Sequence, residues 1–165
     1  MAYHAYISLN GGKSNSKGGP VHRMSYGPLS ITPHNLGSAL FQVKTQHDAG
    51  GGKRQHSPIT IVREVDSASP LLWQGICTNE TLRAVDISLV GRPPSGGGEV
   101  VVERITLTNA VISNVHRYTP RLGSSDSEVH DTDELEEIQF TFQKITYTNV
   151  AGSTSASDDW NWNPR

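Results

Sequence analysis

The residues from Pro58 to Gly91, PITIVREVDSASPLLWQGICTNETLRAVDISLVG, constrain the fold most: they read as a strand, one two-turn helix and a second strand. Ile59, Ile61 and Val65 share one parity of an extended chain, and Thr60 and Glu64 the other, the alternation of a half-buried strand. Val62 interrupts it, which points to cover on both faces. Ser69-Pro70 then opens a helix: the serine oxygen accepts from the first free N–H groups, and proline suits the first helical position, where its missing N–H costs nothing. Leu72, Trp73, Ile76 and Cys77 follow at spacings of three and four, one apolar stripe. Asn79 is a left-handed stop. Val85, Ile87 and Leu89 then face one way and Asp86 and Ser88 the other, until Gly91 and Pro93-Pro94 end the strand. A helix this short is not stable alone. It must lie across the mouth or side of a β-barrel or sandwich, with Leu72 and Trp73 as its plug.

The rest of the chain supplies that sheet. With 165 residues there is one domain with a real core, and 16 glycines and nine prolines indicate many turns. Tyr3 to Leu9 reads as a strand with Ala5, Ile7 and Leu9 inward. Residues 10–20 are a polar loop. Pro28, Pro33 and Gly37 break residues 21–37 into short pieces that place Tyr26 and Ile31 in brief strands. Leu40 to Thr45 is a strand with Phe41 and Val43 on one face, and Gln46 to Ser57 is a long loop of mixed charge. Val100 to Leu107 is a strand that Ala110 to Tyr118 either continues or pairs back on, with a parity change near Asn109 that marks a bulge or turn. An acidic loop follows. The last long strand, Leu135 to Val150, turns Ile138, Phe140 and Phe142 inward and changes parity at Ile145 and Tyr147. Little fixed structure is expected in the tail, residues 151–165, although Trp160 and Trp162 beside Asp158 and Asp159 would suit docking. The fold class is mainly β: a compact antiparallel barrel or sandwich over residues 1–150 with one short helix on its side or mouth.

Few chemistries fit these residues. Net charge is −2, so there is no general basic field for nucleic acid. No run approaches a membrane span, which excludes helical insertion, and the N-terminus MAYHAYISLNGG lacks the basic start and apolar core of a signal peptide. One cysteine, Cys77, excludes an internal disulfide, and its place on the stripe suggests a buried thiol. Gly12-Lys13-Ser14 lacks the earlier glycine of a phosphate loop, Ile7 standing in its place, and Gly50-Gly51-Gly52-Lys53-Arg54 lacks the hydroxyl after lysine. The seven histidines, at 4, 22, 34, 47, 56, 116 and 130, show no metal-pair spacing and read as exposed. Asp126, Glu128, Asp131, Asp133, Glu134, Glu136 and Glu137 lack the glycine of a calcium loop and read as a solvated acidic run. No Gly-x-Ser-x-Gly elbow is present. No catalytic residue, cofactor or metal ligand is assigned.

The run Asp66-Ser67-Ala68-Ser69-Pro70-Leu71-Leu72, the helix to Cys77 and the strand Leu82 to Gly91 resemble the Hcp tube-protein family of bacterial type VI secretion systems. Asn10-Gly11 after the first strand, the hydrophobic run Val111 to Val115 and the closing strand Ile138 to Tyr147 follow the same order, so the resemblance covers about residues 2–150. Residues 11–37 look longer than the family's first loop and second strand, and the Trp-rich tail is extra. The resemblance implies hexameric rings stacked into a hollow tube that a contractile machine propels into target cells. It implies a protein held in the bacterial cytoplasm before firing and released without a signal peptide. Its partners would be other copies, the sheath, spike and baseplate proteins, and effectors in the lumen. No enzymatic activity is implied. Strand edges of neighbouring copies would close the ring. The contact loop between protomers or rings would be Gln46, His47, Asp48, Gly50, Gly51, Gly52, Lys53 and Arg54, and Ser69, Pro70, Leu72, Trp73 and Ile76 would form the structural helix. Two other classes stay open: a secreted carbohydrate-binding β-sandwich using Trp160 and Trp162 as platforms, and a small hydrolase with converging His and carboxylate groups.

Overall fold

Every strand pairing among the described residues is antiparallel. The computed structural model describes residues 4–11, 30–35, 40–47, 54–93, 95–119 and 134–160. Within them the order is β1 (His4–Gly11), β2 (Ser30–Asn35), β3 (Leu40–Gln42), β4 (Thr45–His47), β5 (Arg54–His56), β6 (Ile59–Glu64), α1 (Ser69–Cys77), β7 (Leu82–Gly91), β8 (Val100–Tyr118), β9 (Leu135–Asn149) and β10 (Thr154–Asp159). The main sheet runs β2-β1-β7-β8-β9-β6-β3, and β10 joins β9; β4 and β5 form a separate two-stranded sheet. Among the described residues the fold is therefore mainly β with one helix, and its layers fit a sandwich. Tyr26 and the polar loop lie outside the described residues, and Ile31 is in β2.

Alternation builds the core as the sequence predicts. Ala5, Ile7 and Leu9 of β1, Ile59 and Ile61 of β6, and Val85 and Ile87 of β7 are buried, while Asp86 and Ser88 are only partly covered. The parity change at Asn109 is real, but the strand neither turns back nor slips there. Asn109 takes a left-handed φ of 49°. Leu107 faces Ile145 and Ala110 faces Phe142 across the ladder, so β8 and β9 bend together in register. Buried positions pass from Ile105 and Leu107 to Ala110 and Ile112 on β8, and from Ile138 and Phe140 to Ile145 on β9. The register shift comes later, between Ile112 and Asn114.

Four expectations need correction. Ser69 does not cap the helix. Ala68 occupies that position, and no side chain caps it. Ser69 instead accepts from the Asp66 N–H at 3.0 Å and donates to Glu136 Oε1 at 2.9 Å. That bond turns Ala68, Leu72 and Gly75 toward β8, with Leu71 and Ile76 packed beside them, so the buried edge is displaced from the expected stripe. Trp73 is then 49% exposed and Cys77 is exposed: the plug is Leu72 alone. The helix does stop as predicted. Asn79, at φ 49°, gives its N–H to Ile76 O, and the Glu80 N–H reaches Gly75 O. Third, Val43 is exposed, because pairing with β6 ends at Gln42. Fourth, the tail contains β10, which folds back along the end of β9 from Asn149↔Thr154 to Lys144↔Asp159. β6 covers that edge of β9 only from Leu135 to Phe140, which leaves room for another strand.

The helix start rests on a buried charge pair. Arg63 continues the inward parity of Ile59 and Ile61, and Glu136 that of Ile138 and Phe140; the two face each other across β6 and β9. Arg63 Nε lies 3.1 Å from Glu136 Oε1, and Glu136 is fully buried. The Arg63 guanidinium also pairs with Asp66, whose Oδ1 accepts from the Ala68 N–H at 2.9 Å. Glu136 is thus no part of a solvated run. Glu136→Ala leaves Arg63 with one counter-ion in a buried site, at a cost of about 3 kcal/mol or more. Urea unfolding at fixed protein concentration checks this; a loss within experimental error would show that the pair does not hold the helix. Arg63→Met combined with Glu136→Leu should lose less than Glu136→Ala.

Candidate functional site

The expected contact loop begins and ends as a hairpin. Thr45 faces His56, Gln46 faces Gln55 and His47 faces Arg54. Gln46, His47 and Arg54 are therefore in strands, whereas Asp48, Gly50, Gly51, Gly52 and Lys53 lie outside the described residues. Arg54 and His56 sit two residues apart on β5, so both point to one face. That face meets the end of β10. Arg54 Nε pairs with Asp158 Oδ2, and its terminal nitrogen donates to the Asp159 carbonyl at 3.0 Å. His56 Nε2 lies 2.6 Å from the same Asp158 oxygen.

The ring geometry sets the proton on His56. A carboxylate only accepts, so Nε2 carries hydrogen toward Asp158. Nδ1 faces the Thr45 hydroxyl at 2.9 Å. The His56 side chain is only 7% exposed, against the expectation of an exposed loop histidine. Its ring meets Phe142 at 5.7 Å and the Trp160 indole, edge-on, at 5.3 Å. Beside it opens a cavity of about 540 Å³ lined by His56, Ser57, Pro58, Asn109, Val111, Thr141, Phe142, Gln143 and Trp160. The bend described above makes its far wall: Asn109 donates to Gln143 Oε1 at 2.8 Å, and the Trp160 N–H donates to the Gln143 carbonyl at 2.9 Å.

Hydroxyl, imidazole and carboxylate stand here in the order of a hydrolytic triad, but their surroundings differ from those of one. Thr45 is the direct cross-strand partner of His56 and is absent from the cavity wall. Arg54 shares the carboxylate and offsets the charge that would stabilise an imidazolium. The cluster ties a hairpin to a strand. Among the described residues no three His, Cys, Asp or Glu side chains converge as metal ligands. No helix of the described residues is long and apolar enough to cross a membrane.

The other predicted residues scatter. Trp160 is 46% exposed at the cavity, and Trp162 lies outside the described residues. Asp126, Glu128, Asp131 and Asp133 also lie outside them; Glu134 pairs with Arg117, and Glu137 accepts from Gln139. Sequence reasoning noted the aspartates beside the tryptophans but missed that Asp158 faces Arg54 and His56, which are about a hundred residues away.

Burial alone would raise the Asp158 carboxyl, but hydrogen bonds from His56 and Arg54, with the Arg54 and His56 charges, outweigh it and hold it below the usual aspartate range. The contact therefore contributes stability that is complete above the ordinary aspartate value of about 3.9 and is lost as pH falls through the lower folded value. Carbon NMR of the Asp158 carboxyl should give a midpoint below about 3.9, and Arg54→Gln should move it upward. A midpoint at the free-aspartate value in the unaltered chain would mean that the cluster does not form in solution.

Comparison with known proteins gives one consistent result. The family model described as type VI secretion system effector, Hcp, matches residues 34–148. The "Major exported protein" of Pseudomonas aeruginosa is 34% identical over 109 residues, which are 66% of this chain and 62% of that protein's length. A crystal structure of an Hcp protein superposes with a TM-score of 0.71 at 24% identity, covering 98% of this chain and all of the other. The secreted protein Hcp3 of Pseudomonas aeruginosa superposes with a TM-score of 0.65, also at 24% identity, over 98% of this chain and 100% of its own.

Proposed function

This chain belongs to the Hcp family of type VI secretion systems, and on that premise we propose that it is a structural tube subunit, closing into hexameric rings that stack into a hollow tube. The observation that carries the reading is the open sheet. Among the described residues the strand path ends at β2 on one side and at β3 on the other, and these ends do not pair with each other. Unpaired edges need a neighbour, and identical copies related by a closed rotation supply one to each other without leaving a free end. Residues 1–150 form the ring-building part, and residues 151–165 extend it.

In this reading the protein waits in the bacterial cytoplasm and is exported without a signal peptide. The relative named as a major exported protein and the family's description as an effector support export. Sheath, spike and baseplate proteins contact the tube, and its lumen carries effectors. The work is mechanical, with no bond made or broken.

Residues 46–54 mediate contact between rings. Arg54 is held within the chain by Asp158, which leaves the part of the loop before it to reach a neighbour. Negative-stain microscopy of purified protein at rising concentration should show rings and then stacks. Replacing residues 48–53 by Asn-Gly, with Arg54 kept, should leave rings intact and shorten or abolish stacks. Stacks of normal length in that variant would remove the loop from the interface. A monomer at every concentration in light scattering would overturn the tube reading itself.

A further inference from the structure

We propose that Asp158 is a positioning residue for ring stacking: it locks the β4–β5 hairpin to the C-terminal strand, so that a second copy of this chain meets a hairpin already set in direction. This rests on the tube reading above and names the device that makes its contact loop effective.

Among the described residues the hairpin has few other restraints. Each strand has three residues, and the pair forms its own sheet apart from the main one. An isolated two-stranded ribbon is marginal in water. Its base gains one further backbone bond, from the Ser57 N–H to the Lys44 carbonyl at 3.0 Å. The other described anchors come from Arg54 and His56: both reach Asp158 on β10, Arg54 also reaches the Asp159 carbonyl, and the His56 ring meets Trp160 just past β10 and Phe142 on β9. A single carboxylate oxygen serves both side chains, so its loss leaves two donors short of their acceptor at once.

Stacking magnifies the effect. Docking a mobile loop costs the entropy of ordering it, and a loop fixed beforehand avoids that cost. Rings related by symmetry present one hairpin per subunit, so a modest loss at each multiplies across the interface. β10 is well placed to act as the anchor, since it is itself paired along β9 through six residue pairs and carried by the largest sheet.

The test compares the full chain with Asp158→Ala, which removes the shared acceptor oxygen. Three readouts are taken: thermal midpoint, amide hydrogen exchange at residues 45–47 and 54–56, and the protein concentration at which stacks appear in negative stain. The expected result is intact rings, hairpin exchange faster by about tenfold, and a stacking threshold higher by about tenfold or more. If Asp158→Ala does not fold, Arg54→Ala with His56→Phe removes the same bonds from the other side, keeps a ring in place of the imidazole, and is read identically. Unchanged hairpin exchange, or freed hairpins with an unchanged threshold, overturns this inference and leaves the tube reading standing. Wild-type protein that never forms rings or stacks overturns the tube reading, and the inference with it.

Discussion

The sandwich depends on how it ends an apolar layer with a charge. Along β6 and β9 the inward positions run through isoleucine and phenylalanine and stop at Arg63 facing Glu136. Removing two charges from water is expensive, and only close geometry with further hydrogen bonds recovers the cost. The turn Asp66-Ser67-Ala68-Ser69 supplies those bonds. Asp66 takes the guanidinium and the Ala68 N–H, and Ser69 joins the Asp66 N–H to Glu136. The Asp-x-x-Ser-Pro pattern is therefore less a helix cap than a clasp, which fixes the rotation of α1. Leu72 is then aimed at the core, and Trp73 is left outside.

A second constraint is that β9 serves three neighbours. β8 runs along its whole length, while β6 and β10 divide its other edge between them. The division falls where β8 and β9 bend, at Asn109 and Gln143, and the cavity beside His56 opens at that place. The bend brings the hairpin, the tail and the two longest strands to one spot. An in-register bend does this without shifting the ladder, since both strands change face together.

Local patterns were legible in the sequence, and partners were not. Period-two alternation located β1, β6 and β7. The same count found the parity change at Asn109, because burial writes itself into every second residue. The helix was found within its bounds and its stop at Asn79 was correct, since backbone conformation there depends on neighbours in the chain. Its rotation was not legible, because Ser69 answers to Glu136, 67 residues away. Arg63 stood at an inward position in plain view. A charged residue on an apolar parity is the signal that would have revealed the pair, had its partner on β9 been sought. The hairpin and β10 were missed for a related reason. β4 and β5 are short polar triplets, Thr45-Gln46-His47 and Arg54-Gln55-His56, and β10 is a run of small and acidic residues, so none carries the apolar alternation that marks a half-buried strand.

The same distinction bears on the candidate site. An exposed ion pair is ordinarily worth little, because water competes and two flexible side chains must be ordered. Asp158 differs through the company it keeps. Its oxygen is shared by Arg54 and by His56, whose side chain is nearly enclosed and fixed by two aromatic rings. The ordering cost is met by packing that exists already, and among the described residues no hairpin residue belongs to the buried core cluster. A contact that adds little to global stability can still decide the direction of a small element when that element has few other restraints. On the proposed tube reading, direction is what a neighbouring copy would read, so the tail strand would matter to assembly through the hairpin it holds.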